Sequence, residues 1–360
     1  MRILYLPNSK CQQRQFEKPN FMAYPWLLAA EAEWHRQNGD TVIWDYKPKC
    51  HMDRLADYAD KIITEPEGLP FLSLPHPDRI FTNAMDKKYQ NNGNFKYHPG
   101  TYIQSASGCW WGKCTFCVEN VSRCRKSGEN NPFRHEWGTN QLQAPVDKTP
   151  TPEYEVRPVD DCIAEIEEIK ALNYKEIFDD SGTFPTGRWL DDFCKELSRM
   201  DFRKDTRFGC NIRCRDMDFR LLHRVGFRML LFGIESANQE TLDRINKGVK
   251  VEDIKYIIKA SEAGLEPHIC VIFGYPWETD DDAIRTLRMV HDLLKKGYAK
   301  TAQASFYTKQ GVVGRDEHRR FIRKIYNVGY SPRFWFNKIK DIKNVDDLKY
   351  LWRQIKSSWQ

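Results

Sequence analysis

Three cysteines, Cys109, Cys114 and Cys117, fall within nine residues, spaced C-x4-C-x2-C. Thiolates this close are soft ligands, suited to zinc or to an iron–sulfur cluster. Gly108 and Gly112 loosen the backbone, so a single loop can turn its sulfurs inward. Closed structural zinc sites and the common electron-transfer clusters use four protein ligands. Three ligands leave one metal position open, where a substrate or cofactor can bind. Three plainer readings stand beside this one. The first is a zinc knuckle completed by Cys124, His98 or His135. The second is a plant-type ferredoxin loop, which shares the spacing and adds a distant cysteine. The third is packed thiols without a metal.

The elements around the loop narrow the choice. Residues 101–106 read as a strand leading into the cysteines. From residue 159 onward, strands expected at 175–180, 207–213, 228–234, 268–273 and 300–306 alternate with helix-period segments. One such segment carries Leu190, Phe193, Leu197 and Met200 on a single face. Repeated β/α units predict a parallel sheet with helices outside and ligands at the C-terminal strand ends. Polar and glycine residues sit at those ends: Cys109, Asp179 to Ser181, Arg213, Glu235, and 274–278. A small ferredoxin has no such repeat, and a zinc knuckle does not explain this ring of strand ends.

Before the repeat, residues 2–6, 41–45 and 60–64 read as short buried strands, and 78–82 as a possible fourth. A helix over 25–37 separates the first two strands. The spacing predicts a small Rossmann-like domain over 1–84, a linker over 85–99, a barrel over 100–308 and a basic helical segment over 309–360. No G-x-G-x-x-G follows the first strand. The irregular stretch 123–158 has the length of a functional or disordered loop.

The composition, 41% hydrophobic and 13% aromatic, is that of a globular protein. No apolar run reaches the length of a membrane span, and the N-terminus lacks a signal-peptide core. With 11 cysteines and no secretion signal, a reducing, cytoplasmic setting is expected. Residues 309–360 hold 13 Lys/Arg against 5 Asp/Glu, so this segment carries +8 of the net +6 and the rest of the chain −2. Its interleaved aromatics, among them Phe321, Trp335 and Trp352, fit either an RNA-tracking tail or helices packed on the barrel; the packed form is favoured. Cys162, Cys194, Cys210, Cys214 and Cys270 read as core thiols, and His35 as a solvated helix residue.

The motifs together resemble the radical S-adenosylmethionine (SAM) superfamily, and within it the branch that often carries an N-terminal cobalamin-binding-like domain. The resemblance runs over about residues 100–307. It rests on Gly-Cys-Trp-Trp-Gly-Lys-Cys-Thr-Phe-Cys at 108–117, Phe-Asp-Asp-Ser-Gly-Thr-Phe at 178–184 and Cys-Asn-Ile-Arg at 210–213. It also rests on Phe-Gly-Ile-Glu-Ser at 232–236 with Asn-Lys-Gly at 246–248, and on Ile-Phe-Gly-Tyr-Pro-Trp-Glu-Thr at 272–279. The family usually has three residues between its first two cysteines. The fourth here can be bulged out of a glycine-containing loop.

The resemblance implies a partial (β/α)6 radical SAM barrel and a [4Fe–4S] cluster on Cys109, Cys114 and Cys117, with SAM on the open iron. SAM would be cleaved reductively to a 5′-deoxyadenosyl radical that takes a hydrogen atom from a substrate. By position, Asp179, Asp180 and Ser181 would face the methionine amino group, with helix capping as the plain alternative for Asp180. Arg213 would pair with the carboxylate and Glu235 would accept from the ribose or amino group. Ile272 to Gly274 and Phe116 would meet the adenine. An electron donor such as a flavodoxin or ferredoxin, a small-molecule or peptide substrate and an oxygen-sensitive cluster follow. Methyl transfer and ring formation are both open. Cobalamin is doubtful, because the N-terminal domain looks too short to wall in a corrin and D-x-H-x-x-G is missing. The competing function is a zinc- or iron–sulfur-containing nucleic-acid-binding protein using the basic tail.

Overall fold

The computed structural model describes residues 1–5, 25–44, 59–63, 66–90, 95–117, 154–307 and 315–358. Three short apolar runs pair first. β1 (Arg2–Tyr5), β2 (Thr41–Trp44) and β3 (Lys61–Ile63) form a parallel sheet in the order β2-β1-β3. The helix Trp26–Gln37 buries Leu28 and Ala32 against Ile3, Tyr5 and Ile63. His35 on that helix is buried, not solvated. Its Nδ1 lies 2.8 Å from Asp40 Oδ2 and its Nε2 2.9 Å from Glu67 Oε2, and two such partners offset the desolvation of the ring.

Residues 78–82 do not form the expected fourth strand. Asp78 Oδ1 accepts the N–H groups of Ile80 and Phe81, and the Thr82 N–H donates to the Asp78 carbonyl. The aspartate offers the backbone a turn that outcompetes a strand. Within 85–99, the helical turn Lys87–Gln90 precedes a packed segment in which Phe95 is fully buried over Gly100.

β4 (Gly100–Ile103) opens the main sheet, and β5 (Ala106–Ser107) pairs antiparallel with β6 (Glu155–Val156) beside it. β7 (Glu176–Asp179), β8 (Arg207–Ile212), β9 (Phe227–Glu235), β10 (Glu266–Phe273) and β11 (Thr301–Phe306) follow. The order is β11-β10-β9-β8-β7-β4, every neighbour parallel, curled into a half-barrel. The helices Val159–Ala171, Arg188–Arg199, Phe219–Val225, Ile254–Glu262 and Asp280–Lys295 fill the crossovers. The alternation along β10 is strict: Pro267, Ile269, Val271 and Phe273 are buried on one face. Glu266, His268, Cys270 and Ile272 are part-exposed on the other, the barrel interior.

β9 breaks this alternation twice. Phe208 faces Phe227 but Gly209 faces Met229, which leaves Arg228 as an extra residue. Cys270 faces Gly233 but Val271 faces Glu235, which leaves Ile234 extra. Such bulges re-aim side chains. Arg228 turns beneath the barrel to meet Glu176 (2.7 Å) and Glu266 (2.6 Å), and Lys96 meets Glu266 (2.8 Å) and Asp347 (2.6 Å).

The C-terminal helices Arg319–Lys324, Pro332–Lys340 and Val345–Ser358 lie on this scaffold. Phe321 stacks on Phe273 with ring centroids 5.7 Å apart, and Arg353 Nη2 donates to the carbonyls of Phe95 and Lys96. One buried carboxylate, Glu165, joins the N-terminal sheet unit to the barrel. It accepts from Trp26 Nε1 (2.8 Å), Arg79 Nη2 (2.5 Å) and Arg157 Nη1 (2.5 Å). Among the described residues no helix is long and apolar enough to cross a membrane.

Candidate functional site

The cysteine loop leaves β4 and β5 at the C-terminal edge of the sheet. Cys109, Cys114 and Cys117 are not joined to one another by disulfides. Gly108 (φ +92) and Gly112 (φ +57) supply the left-handed turns that bend the loop. Cys109 Sγ lies 3.0 Å from Thr183 Oγ1, and the Cys117 N–H donates to the Cys114 carbonyl at 3.3 Å. Burial pushes the Cys114 thiol up, while Lys247 and Arg213 nearby oppose that shift. Among the described residues no group of three His, Cys, Asp or Glu side chains stands already gathered as a metal site. The donor chemistry still fits a soft metal cluster: three cysteine thiols on one loop, with two buried cations placed to favour thiolates. His98 precedes β4, so it lies at the opposite end of that strand from Cys109. Cys124 and His135 lie outside the described residues.

A turn after the helix Gln239–Arg244 holds the loop in place. Three successive carbonyls accept bonds from the site. The Ile245 carbonyl takes the Thr115 N–H (3.0 Å), the Asn246 carbonyl takes Trp111 Nε1–H (2.8 Å), and the Lys247 carbonyl takes Arg213 Nη2–H. Asn246 (φ +52) and Gly248 (φ +65) make this turn possible. Arg213 is buried, with its guanidinium carbon 4.7 Å from the Trp111 ring centre and 5.3 Å from that of Trp110. Lys247 Nζ donates to Glu235 Oε1 at 2.7 Å and lies 5.8 Å from the Phe116 ring. The pair occupies the space left by Gly233, whose absent Cβ would stand 2.6 Å from Glu235 Oε1. Lys247, Trp111 and Thr183 were not picked out as site residues from the sequence. Lys247 sits inside the Asn-Lys-Gly motif, and that motif was the available signal.

The residues expected to face the methionine amino group separate. Asp179 is fully buried, and its two oxygens accept the N–H groups of Ser105 and Ser181, both at 2.9 Å. Ser181 Oγ accepts the Ala106 N–H at 2.8 Å. These two side chains fasten the base of the cysteine loop to the end of β7. Asp180 is exposed between them, and the next helix starts at Arg188, so Asp180 does not cap it.

At the end of β10, Ile272 is half-buried and Gly274 (φ +88) lies against the Phe306 ring, leaving no room for a side chain. Its N–H donates to Glu278 Oε2 at 2.7 Å, and the same oxygen faces His318 Nδ1 at 2.8 Å. Tyr275 is buried in a stack with Trp277 and Tyr307, and Trp277 donates to Thr241.

The sequence profile of the radical SAM superfamily matches residues 103–290, more than half the chain. The chain belongs to the radical SAM superfamily. It is an enzyme of that class, and the class implies a [4Fe–4S] cluster and SAM. No curated protein matches the sequence. Among solved structures, this radical SAM chain is similar to the cobalamin-dependent S-adenosylmethionine radical enzyme OxsB. The two share 16% identity with a TM-score of 0.44, over 73% of this chain and 34% of that one. It is similar to the radical SAM methyltransferase TsrM from Kitasatospora setae, at 18% identity and TM-score 0.43, over 58% of this chain and 35% of that one. It is also similar to methylornithine synthase PylB, at 13% identity and TM-score 0.44, over 71% and 68%. The chain spans about a third of the length of the first two.

Proposed function

We propose that Cys109, Cys114 and Cys117 hold the [4Fe–4S] cluster and that the strand ends above them hold SAM. Bound there, cluster and SAM supply one-electron cleavage of the sulfonium and hydrogen-atom abstraction from a substrate C–H bond. The protein's part is placement and shielding. Arg213 offers its guanidinium to the SAM carboxylate. The exposed Asp180 faces the amino group, while Asp179 and Ser181 act by fixing the loop. Glu235, oriented by Lys247, accepts from the ribose or amino group. Phe116 and the backbone of Ile272 and Gly274 bound the adenine.

The observation that carries this reading is the set of three successive carbonyls at 245–247, which ties the cysteine loop and Arg213 into one frame. The substrate is a small molecule or peptide, the electrons come from a donor of flavodoxin or ferredoxin type, and the setting is the reducing cytoplasm. Methyl transfer and ring formation remain the candidate outcomes of the C–H chemistry. In the tail Phe321 and Tyr350 are buried while Tyr326, Phe336 and Trp352 are exposed, and no observation favours the nucleic-acid reading over the enzyme reading. The test is anaerobic reconstitution followed by SAM and dithionite. Deoxyadenosine should form with about four irons per chain. Zinc uptake without iron would overturn the reading.

A further inference from the structure

The inner face of the half-barrel is layered. Its lower end is charged but internally paired: Arg228 and Lys96 meet Glu176, Glu266 and Asp347. Its upper end carries Arg213 and the Glu235–Lys247 pair. Between them, register places Gly209 beside Met229, Asn211 beside Leu231, His268 beside Leu231 and Thr301, Cys270 beside Gly233 and Gln303, and Ile272 beside Ser305. None of these described positions carries a formal charge.

Filling is uneven across this face. Tyr102, Phe178 and Met229 are fully buried and close one side. Asn211, Leu231, His268 and Cys270 are part-exposed, and Gln303 and Ser305 are exposed. Ala302 and Ala304, the alternate residues of β11, pack on the helix-side core, so Gln303 and Ser305 point inward. His268 Nδ1 lies 2.6 Å from Thr301 Oγ1, and its Nε2 is buried with no partner. Burial and Arg228 hold the imidazole down at about 4, so the ring is neutral and serves as a hydrogen-bonding group, not a cation. An unpaired buried polar atom is costly unless something meets it.

We infer that the β10–β11 wall, with His268, Cys270, Gln303 and Ser305, is the substrate chamber, and that it takes an uncharged molecule with hydroxyl or amide groups. The inference rests on the radical SAM reading above for the word substrate. The recognition chemistry is that of the wall alone. Hydroxyl or amide groups pair with Gln303, Ser305 and the free Nε2 of His268, and a C–H face lies against Leu231 and Ile272. A phosphate or an ammonium group would have to shed water into a layer whose nearest described charges, Arg228 below and the Glu235–Lys247 pair above, are already paired with one another or with Glu176 and Glu266.

Cys270 is a built-in reporter on this wall. The test uses the anaerobic reconstituted protein with SAM and three methanethiosulfonate probes: neutral ethyl, anionic sulfonatoethyl and cationic trimethylammonioethyl. The rate at the Cys270 peptide is read by mass spectrometry and divided by each probe's rate with glutathione. All probes are compared at one pH, so the raised Cys270 thiol affects them equally. The neutral probe should be favoured roughly tenfold or more over both charged ones, the penalty of desolvating a charge. Gln303→Glu should raise the cationic rate and lower the anionic one. Equal or faster labelling by either charged probe, or no labelling by any probe, overturns the inference. Deoxyadenosine formation with dithionite is measured on the same sample. Its absence would sink the radical SAM reading while leaving the charge selectivity of the chamber to be judged on the labelling.

Discussion

The indole of Trp111 occupies the volume that a side chain at Gly248 would need, and its Nε1–H is bonded to the Asn246 carbonyl two residues earlier. Gly248 also has φ +65, a conformation L residues rarely adopt. Gly248→Ala should therefore cost about 1–3 kcal/mol, read from urea unfolding, and should loosen iron retention. Adding Trp111→Ala should recover part of the loss, because the two positions share one space. Full additivity would show that they do not.

Lys247 and Glu235 form a buried pair, and removing one partner leaves the other charged and unpaired. Lys247→Met should cost about 3–5 kcal/mol in chemical denaturation. The double variant Lys247→Met, Glu235→Gln should regain much of it. A single variant as stable as the parent would place the pair in contact with water.

Arg213→Lys keeps the charge but loses the planar fork and the grip of two indoles. SAM binding, followed by calorimetry on the reconstituted protein, should weaken roughly tenfold, about 1.4 kcal/mol. Iron content should stay unchanged. Equal affinity would reassign Arg213 to holding the turn alone.

The Glu165 junction is acid-sensitive. Burial by itself would raise its carboxyl, but Arg157 and Arg79 more than reverse that and hold it at about 2. The unfolded chain binds the proton at the ordinary value, near 4.5. A depressed folded value contributes stability above 4.5 that is lost as pH falls toward 2. Thermal melts should fall steeply over that window, and Glu165→Gln should flatten the fall. A parallel slope in the variant would assign acid lability elsewhere.

The N-terminal unit contributes three strands among the described residues. A doubly wound sheet able to wall in a corrin has about five. Hydroxocobalamin added during reconstitution should separate on gel filtration. Stoichiometric retention would reverse this and bring methyl transfer forward.

The order of strands and helices was legible because period-2 and period-3.6 patterns alternate cleanly after residue 159, and because Cys109, Arg213 and Glu235 each end or follow an apolar run. The two bulges of β9 were not, since one extra residue inside Phe-Arg-Met or Gly-Ile-Glu leaves the local hydrophobic pattern unchanged. Lys247 was hidden by distance, 12 residues beyond the carboxylate it pairs with. The backbone amides that each Asp179 oxygen accepts were not legible either, because Ser105 lies 74 positions away and no local pattern signals the bond. Residues 78–82 misled because Arg-Ile-Phe-Thr alternates like a strand while Asp78 dictates a turn.

The underside of the barrel has a consequence for synthesis. Arg353 bonds the carbonyl of Phe95, made 258 positions earlier, and Lys96 waits for Glu266, 170 positions on. At 5–20 residues per second, the ribosome leaves roughly 13–50 s between Phe95 and Arg353. During that interval Glu176, Arg228 and Lys96 can be translated but not yet roofed over by the last helix. The nascent barrel therefore emerges with an open ionic underside, which stays open until the helix Val345–Ser358 has left the ribosome.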